Sequence, residues 1–138
     1  MVAIHAVAYN GNYTYVTEWL ASLDPETRDC VTAAVEVLME FGPALGRPLV
    51  DTVTASRHKN MKELRPPSPG MSEFRILFVF DPRRKAILLL GGDKSGMVER
   101  KKSRRDKWGE WYKKAIPIAD ERYDEHLRRL SEKGKKDG

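Results

Sequence analysis

Four short segments carry the side chains best suited to chemistry in this chain. Arg65 closes the run Met61-Lys62-Glu63-Leu64-Arg65, and Arg75 interrupts the apolar run Phe74-Arg75-Ile76-Leu77-Phe78. Lys94 follows Gly91-Gly92-Asp93, and Trp111-Tyr112-Lys113-Lys114 precedes a late helical stretch. If the three strand-like runs pair as a meander, side chains on one face converge from neighbouring strands. Arg and Lys gathered on a sheet are costly unless they meet solvent or an anion. An RNA phosphate would satisfy such a group. Glu63 and His58 are the candidate proton acceptors beside it.

Other chemistries have little to build on. No Gly-rich phosphate loop follows a strand, and no Ser sits in a nucleophile elbow. The three histidines, His5, His58 and His126, are far apart, and no Cys/His group has zinc spacing. No metal site and no cofactor is expected. The blander readings stay open for each candidate. Arg75 could pair with Glu63 across the sheet as a plain ion pair. Lys94 could be a solvated turn lysine, Trp111 and Tyr112 packing residues, and His58 a loop or strand-edge residue.

The elements that must position these groups follow from pattern. Met1–Ala8, rich in Val, Ile and Ala, reads as a first strand, and Asn10-Gly11-Asn12 as a turn. Val16, Trp19, Leu20 and Leu23 fall at helical spacing. A second helix starts with Asp24 as cap and Pro25 at its first position; its apolar stripe is Val31, Ala34, Leu38 and Phe41, and Gly42-Pro43 stops it. Residues 42–56 read as a loop. The segments His58–Leu64, Glu73–Phe80 and Ala86–Leu90 form the meander, divided by Arg65-Pro66-Pro67-Ser68-Pro69-Gly70 and Asp81-Pro82 and ended by Gly91-Gly92. A last helix begins near Pro117, burying Ile116, Ala119, Tyr123, Leu127 and Leu130. The expected order is β-α-α-β-β-β-α, an α+β layout with helices packed on a small, mainly antiparallel sheet.

Charge is divided unevenly along this frame. Residues 1–56 hold two Lys/Arg against seven Asp/Glu, while residues 57–138 hold 23 against 13. Such asymmetry points to an anionic partner for the second half. Much of the excess lies in 95–107, where Arg100, Lys101, Lys102, Arg104, Arg105 and Lys107 crowd together; this reads as a mobile basic loop. With Lys62, Trp111 and Lys113 these residues are candidates for RNA contact, the aromatic ring stacking on bases. Residues 133–138 read as a frayed tail.

The 138 residues suit a single domain, 1–138, and 41% of them are hydrophobic, enough for a core. The longest apolar run, Ala86–Leu90, is far short of the ~20 residues of a spanning helix. No membrane partner is expected. Met1–Ala8 lacks the basic and apolar regions of a signal peptide, and Cys30 is the single cysteine. A reducing cytoplasm is the expected compartment.

Taken in order, His58-Lys59-Asn60-Met61-Lys62-Glu63-Leu64-Arg65, Glu73–Asp81 and Leu88-Leu89-Leu90-Gly91-Gly92-Asp93-Lys94-Ser95-Gly96 resemble the toxins of the RelE/HigB superfamily, nearest to the phage-related HigB-like branch of bacterial type II toxin–antitoxin modules. Trp111-Tyr112, Ala115–Ala119, Tyr123 and His126-Leu127 fit that branch too. The resemblance spans about residues 15–130. It implies a metal-independent, ribosome-dependent mRNA endonuclease in which a 2′-hydroxyl attacks the neighbouring phosphate and basic residues stabilise the developing charge. It matches Arg75, Lys94 and Tyr112 to catalytic positions. Arg65 is retained in phase, whereas Glu63 stands where RelE itself has a lysine. It also implies a cognate antitoxin, of helix-turn-helix type and encoded by an adjacent gene, with ribosome and mRNA as targets.

Two other readings share the evidence. A ParE-like poison of DNA gyrase uses the same fold, and fold alone does not separate the two. A non-catalytic nucleic-acid-binding module could use segment 94–114, which holds nine Lys/Arg against three Asp/Glu.

Overall fold

The structure, a computed structural model, describes residues 10–67, 72–95 and 104–137, with side chains in the last stretch described from Gly109 to Lys133. Strand β1 (Gly11–Asn12) is followed by helices α1 (Thr17–Ser22) and α2 (Pro25–Phe41), a 3-10 turn (Gly42–Ala44), strands β2 (Val50–Thr52), β3 (Lys62–Leu64), β4 (Phe74–Phe80) and β5 (Ala86–Asp93), and helix α3 (Arg104–Asp137). The sheet order is β1-β5-β4-β3-β2. Strands β2 to β5 pair antiparallel in sequence order, and β1 lies parallel on the edge of β5. The α+β class with a mainly antiparallel sheet is thus observed.

Helices cover both faces of the sheet. On one side α1 and α2 bring Val16, Val31, Val35 and Leu38 onto Leu64, Ile76, Phe78 and Leu88. On the other, α3 brings Ala115, Ile116, Ala119 and Tyr123 onto Met61, Leu77, Val79 and Leu89. Burial on both faces explains why Ile76–Phe80 of β4 and Ala86–Leu90 of β5 are unbroken apolar runs instead of alternating ones. Helix α2 begins as its sequence indicates: the Asp24 carboxylate accepts from the Thr27 N–H at 3.2 Å, and Pro25 opens the first turn. It ends at Gly42, whose φ of 63° suits a residue without a Cβ.

Several expectations are corrected. Gly91-Gly92 does not end a strand: β5 runs through both to Asp93. A Cβ on Gly91 would lie 2.2 Å from the Trp19 ring, and one on Gly92 would lie 2.6 Å from Trp111 Nε1. The glycines let an indole approach the backbone on each side of the strand. Asn10-Gly11-Asn12 is not a turn but leads into β1, with the Asn10 carbonyl accepting from the Ala86 N–H at 2.9 Å. Here Gly11 lets Met39 of α2 approach, its Cε 2.7 Å from where a Cβ would sit. The expected strand Met1–Ala8 lies outside the described residues.

The 42–56 loop contains β2, three residues held by register with β3 (Val50↔Leu64 to Thr52↔Lys62). Phe41 is 54% exposed and leaves the buried stripe of α2. Helix α3 starts at Arg104, well before Pro117, which sits in its interior. A helical proline lacks an N–H for the carbonyl four residues back. Burial of Ala115 and Ile116 just before it and of Ala119 and Tyr123 just after it holds the helix on the sheet through that defect. Arg104, Arg105 and Lys107 are therefore helical, not part of a loop, and the expected tail is helical through Asp137. The remainder of the basic loop, 96–103, lies outside the described residues.

Candidate functional site

Strand β3 sets the first member of the site. Leu64 and Lys62 point to the α2 side with the other residues of that core, so Glu63 points to the α3 side, opposite Leu77 of β4. There Glu63 is 8% exposed and accepts a hydrogen bond from the Tyr112 hydroxyl at 2.6 Å. Tyr112 reaches it from α3, its ring edge-on to Trp111 at 5.0 Å. Trp111 in turn lies over Gly92, and Gly92 is the register partner of Arg75. The glycine thereby fixes how closely the Trp111-Tyr112 pair approaches Arg75.

Three cations join this pair. Arg75 is 6% exposed on β4; its Nη1 donates to the Phe74 carbonyl at 2.7 Å, and its Nε has no hydrogen-bond partner among the described residues. Lys94, 7% exposed just past β5, donates its backbone N–H to the Glu73 carbonyl at 2.9 Å and holds its ammonium 5.7 Å from the Tyr112 ring centre. Arg65, half-buried, follows β3 with its N–H on the Leu49 carbonyl at 2.7 Å.

The electrostatics are those of groups that act on one another. Burial lowers the Lys94 pKa, and the charges of Arg75 and Arg65 lower it further against the opposing pull of Glu63 and Glu73. Burial raises the Tyr112 pKa strongly, with the Glu63 hydrogen bond and charge adding to it and Arg75 opposing. Tyr112 is a neutral donor across the physiological range. Three cations thus meet two carboxylates in a half-dry setting. A buried donor without an acceptor, such as Arg75 Nε, costs free energy that an entering anion would recover.

The structure brings together Glu63, Arg65, Arg75, Lys94 and Tyr112, with Trp111 packed beside them. It does not bring His58 there. His58 Nε2 bonds Asp124 at 2.8 Å and its ring sits edge-on to Tyr123 at 4.8 Å. That is 12 residues along α3 from Tyr112, about 18 Å at the helical rise. Lys62 is on the opposite face of β3, and Lys113 is exposed on α3. Arg100, Lys101 and Lys102 lie outside the described residues, as do the side chains of Arg104 and Arg105.

Three features had not been singled out from the sequence. Glu73 is one of the two carboxylates acting on Lys94. Asp93 Oδ1 accepts from the backbone N–H groups of Glu73 and Ser95, each at 2.9 Å, and from the Ser95 hydroxyl at 2.6 Å. This ties the start of β4 to the end of β5 and fixes Lys94 between them. The signal was Asp93-Lys94-Ser95, a spacing at which an Asx side chain bonds its own backbone two residues on. The third is a groove between segment 52–57 and α3. That segment is clamped to the helix: Asp120 accepts from the Ser56 hydroxyl at 2.5 Å, and Arg57 and His58 pair with Asp124.

Among the described residues no group of three or more His, Cys, Asp or Glu could hold a metal ion, and no helix is long and apolar enough to cross a membrane.

Comparison with known proteins adds the lineage. The family model described as Phage derived protein Gp49-like (DUF891) matches residues 18–124. The chain is 52% identical over 122 residues to a Mycobacterium tuberculosis protein named as toxin HigB2, covering 88% of this chain and 56% of that one. It thus spans little more than half of that relative's length. It is 46% identical over 112 residues to toxin HigB3 of the same organism, covering 81% of this chain and 87% of the relative. No solved structure matches. With the helix-flanked sheet and its cationic face, these matches establish that the chain belongs to the Gp49-like family, within the RelE/HigB-type toxins of toxin–antitoxin modules.

Proposed function

We propose that this chain is a ribosome-dependent mRNA endonuclease that arrests translation in the cytoplasm and is neutralised by a cognate antitoxin, of helix-turn-helix type and encoded by an adjacent gene. The observation that carries the reading is the convergence of Arg65, Arg75 and Lys94 around the Glu63–Tyr112 pair on one face of the sheet. A cationic pocket with a buried, unsatisfied guanidinium N–H suits a phosphate that gains charge in the transition state.

In the proposed step the 2′-oxygen of the RNA attacks the adjacent phosphorus and its proton passes to a base. The P–O5′ bond breaks and the 5′-oxygen takes up a proton. The products are a 2′,3′-cyclic phosphate and a 5′-hydroxyl. Arg75 and Arg65 hold the non-bridging oxygens. Lys94, its pKa lowered by burial, is suited to protonate the leaving oxygen. Glu63 is the base, because His58 is engaged by Asp124 and Tyr123 away from the cluster. Tyr112 orients Glu63 by donating to it. Three cations stabilise the phosphate in this step, and the step calls on no metal ion.

The test is Arg75→Ala under inducible expression, with growth curves and primer extension on message. Growth arrest and new message ends are expected with the parent and neither with the variant, while circular dichroism shows both folded. A variant that arrests growth as well as the parent refutes the assignment. Intact message with inhibited gyrase points instead to gyrase poisoning. Salt-dependent RNA binding without cleavage on ribosomes points to a binding module.

A further inference from the structure

Lys94, the proposed proton donor, stands one residue past the last register pair of β4 and β5, Phe74↔Asp93. A lysine carries its ammonium on a flexible four-carbon stem, so the ammonium is placed only as well as the backbone beneath it. Here one carboxylate holds that backbone from two sides. Asp93 Oδ1 accepts from the Glu73 N–H and the Ser95 N–H, each at 2.9 Å, and from the Ser95 hydroxyl at 2.6 Å. The Lys94 N–H closes the same link by donating to the Glu73 carbonyl at 2.9 Å. Lys94 and Ser95 are both buried, so this turn is packed as well as bonded. The far end of the side chain is fixed separately, its ammonium 5.7 Å from the Tyr112 ring centre.

We propose that Asp93 is the positioning residue for the proton donor, acting through Lys94 on the departure of the 5′-oxygen alone. The inference rests on the nuclease reading given above. Three observations carry it. First, the donors gathered on Asp93 Oδ1 belong to Glu73 and Ser95, the residues that flank Lys94 across the sheet and along the chain. Second, all three donors are neutral, so the position calls for an acceptor oxygen and not for a charge. Third, Glu63 is held by a different bond, from Tyr112 of α3. Base and acid are thus positioned independently, and loss of Asp93 disturbs one half of the step. In that half Lys94 Nζ gives a proton to the 5′-oxygen as the P–O5′ bond breaks, and the lysine is left as a neutral amine. With sulfur in place of that oxygen, the P–S bond breaks, its electron pair passes to sulfur, and a thiolate leaves without a proton. Such a linkage has no need of a well-placed Lys94.

The test compares the purified full chain with Asp93→Ala and Asp93→Asn on ribosomes programmed with a synthetic message. The message carries either the natural linkage or a single 5′-bridging sulfur at the position the parent cuts. Rates are taken at saturating programmed ribosomes, so that they report the bound step and not binding. Asp93→Ala should cut the oxygen linkage roughly 10- to 100-fold more slowly, the effect of a misplaced general acid. It should cut the sulfur linkage within a few-fold of the parent. Asp93→Asn keeps an acceptor oxygen for the same donors and should restore the oxygen linkage to within a few-fold of the parent. The ratio of the two rates is taken within one protein, so a smaller folded fraction lowers both rates and leaves the ratio unchanged.

A loss confined to the oxygen linkage in Asp93→Ala, and recovered in Asp93→Asn, supports the positioning role. Equal losses on both linkages overturn it, because they mark Asp93 as a brace of the fold alone. Unchanged rates in Asp93→Ala overturn it as well, and so does an Asp93→Asn protein as slow as Asp93→Ala, which would give the carboxylate charge the role. A parent that cuts neither message refutes the nuclease reading and the positioning role with it, whereas a cutting parent with any of the other adverse results refutes the positioning role alone.

Discussion

The Tyr112 hydroxyl donates to Glu63 Oε2 at 2.6 Å, joining α3 to the middle of β3 across 49 residues of chain. Glu63 is 8% exposed, so this phenol is a main solvator of its carboxylate. Tyr112→Phe removes the donor without removing the ring. Leaving a buried acceptor short of a partner costs on the order of 1–3 kcal/mol. Urea denaturation at neutral pH should show a loss in that range, and cleavage should fall with it. The pH dependence has a definite sign. The Tyr112 pKa is raised on folding from the ordinary 10.0, so its contribution is complete below pH 10 and is lost as pH rises beyond that value. Parent stability should fall more steeply than that of Tyr112→Phe above pH 10; parallel curves would show that the phenol is not held this way.

Lys94 is strained electrostatically for the opposite reason. Its pKa is lowered by burial and by Arg75, so its charged form is disfavoured by folding at neutral pH. Lys94→Met keeps the aliphatic stem and removes the charge. Thermal unfolding should show a protein within roughly 1 kcal/mol of the parent, since relief from burial and from Arg75 is offset by the Glu63 and Glu73 charges that lose a cation. Growth arrest should nevertheless be lost. A destabilised variant that keeps its activity would mean that Lys94 is a structural lysine.

The adjacent glycines should separate stability from activity. Gly92→Ala drives a methyl against Trp111, and Gly91→Ala drives one against Trp19 on the other face. Overpacking of this kind costs typically about 1–3 kcal/mol. Cleavage per folded molecule should fall in Gly92→Ala, whose neighbour is the Trp111-Tyr112 pair, and persist in Gly91→Ala. Equal activity in the two variants, with each folded fraction measured by circular dichroism, would disconnect Trp111 from the site.

His58→Gln addresses the rival base. Its imidazole bonds Asp124 and stacks edge-on to Tyr123, so the substitution should loosen segment 53–61 and leave cleavage within a few-fold of the parent. Glu63→Gln should abolish cleavage while still accepting the Tyr112 hydrogen bond through its amide oxygen. The reverse pattern in primer extension would transfer the role to His58.

Much of the site was legible because strand alternation is strict. Knowing that Leu64 faces a core puts Glu63 on the other side and leaves Lys62 with Leu64, as found. The cations sit at strand ends or in an apolar run, where a charge stands out from its neighbours. Less legible were features set by tertiary contact. Gly91-Gly92 carries turn chemistry locally, and only its pairing with β4, with a tryptophan from a distant helix on either side, makes it strand. Pro117 is a helix breaker by propensity, and only the sheet beneath Ala115, Ile116 and Ala119 carries the helix through it. Strand β2 is three residues long, too short to show a period. The groove arises from segment 52–57 meeting a helix more than 50 residues away, which no local pattern encodes.

At Gly91 and Gly92 the β5 backbone has no side-chain thickness, and an indole rests on either side of it. The partition between the two helical layers is here a single peptide unit. Elsewhere a displacement of α1 would be absorbed by interdigitated aliphatic side chains before reaching α3; at this point there is almost nothing to absorb it. Trp19 thus serves as an optical gauge of the opposite face. Occupation of the cationic cluster beside Trp111 should register in its emission without any ligand touching the side on which it lies.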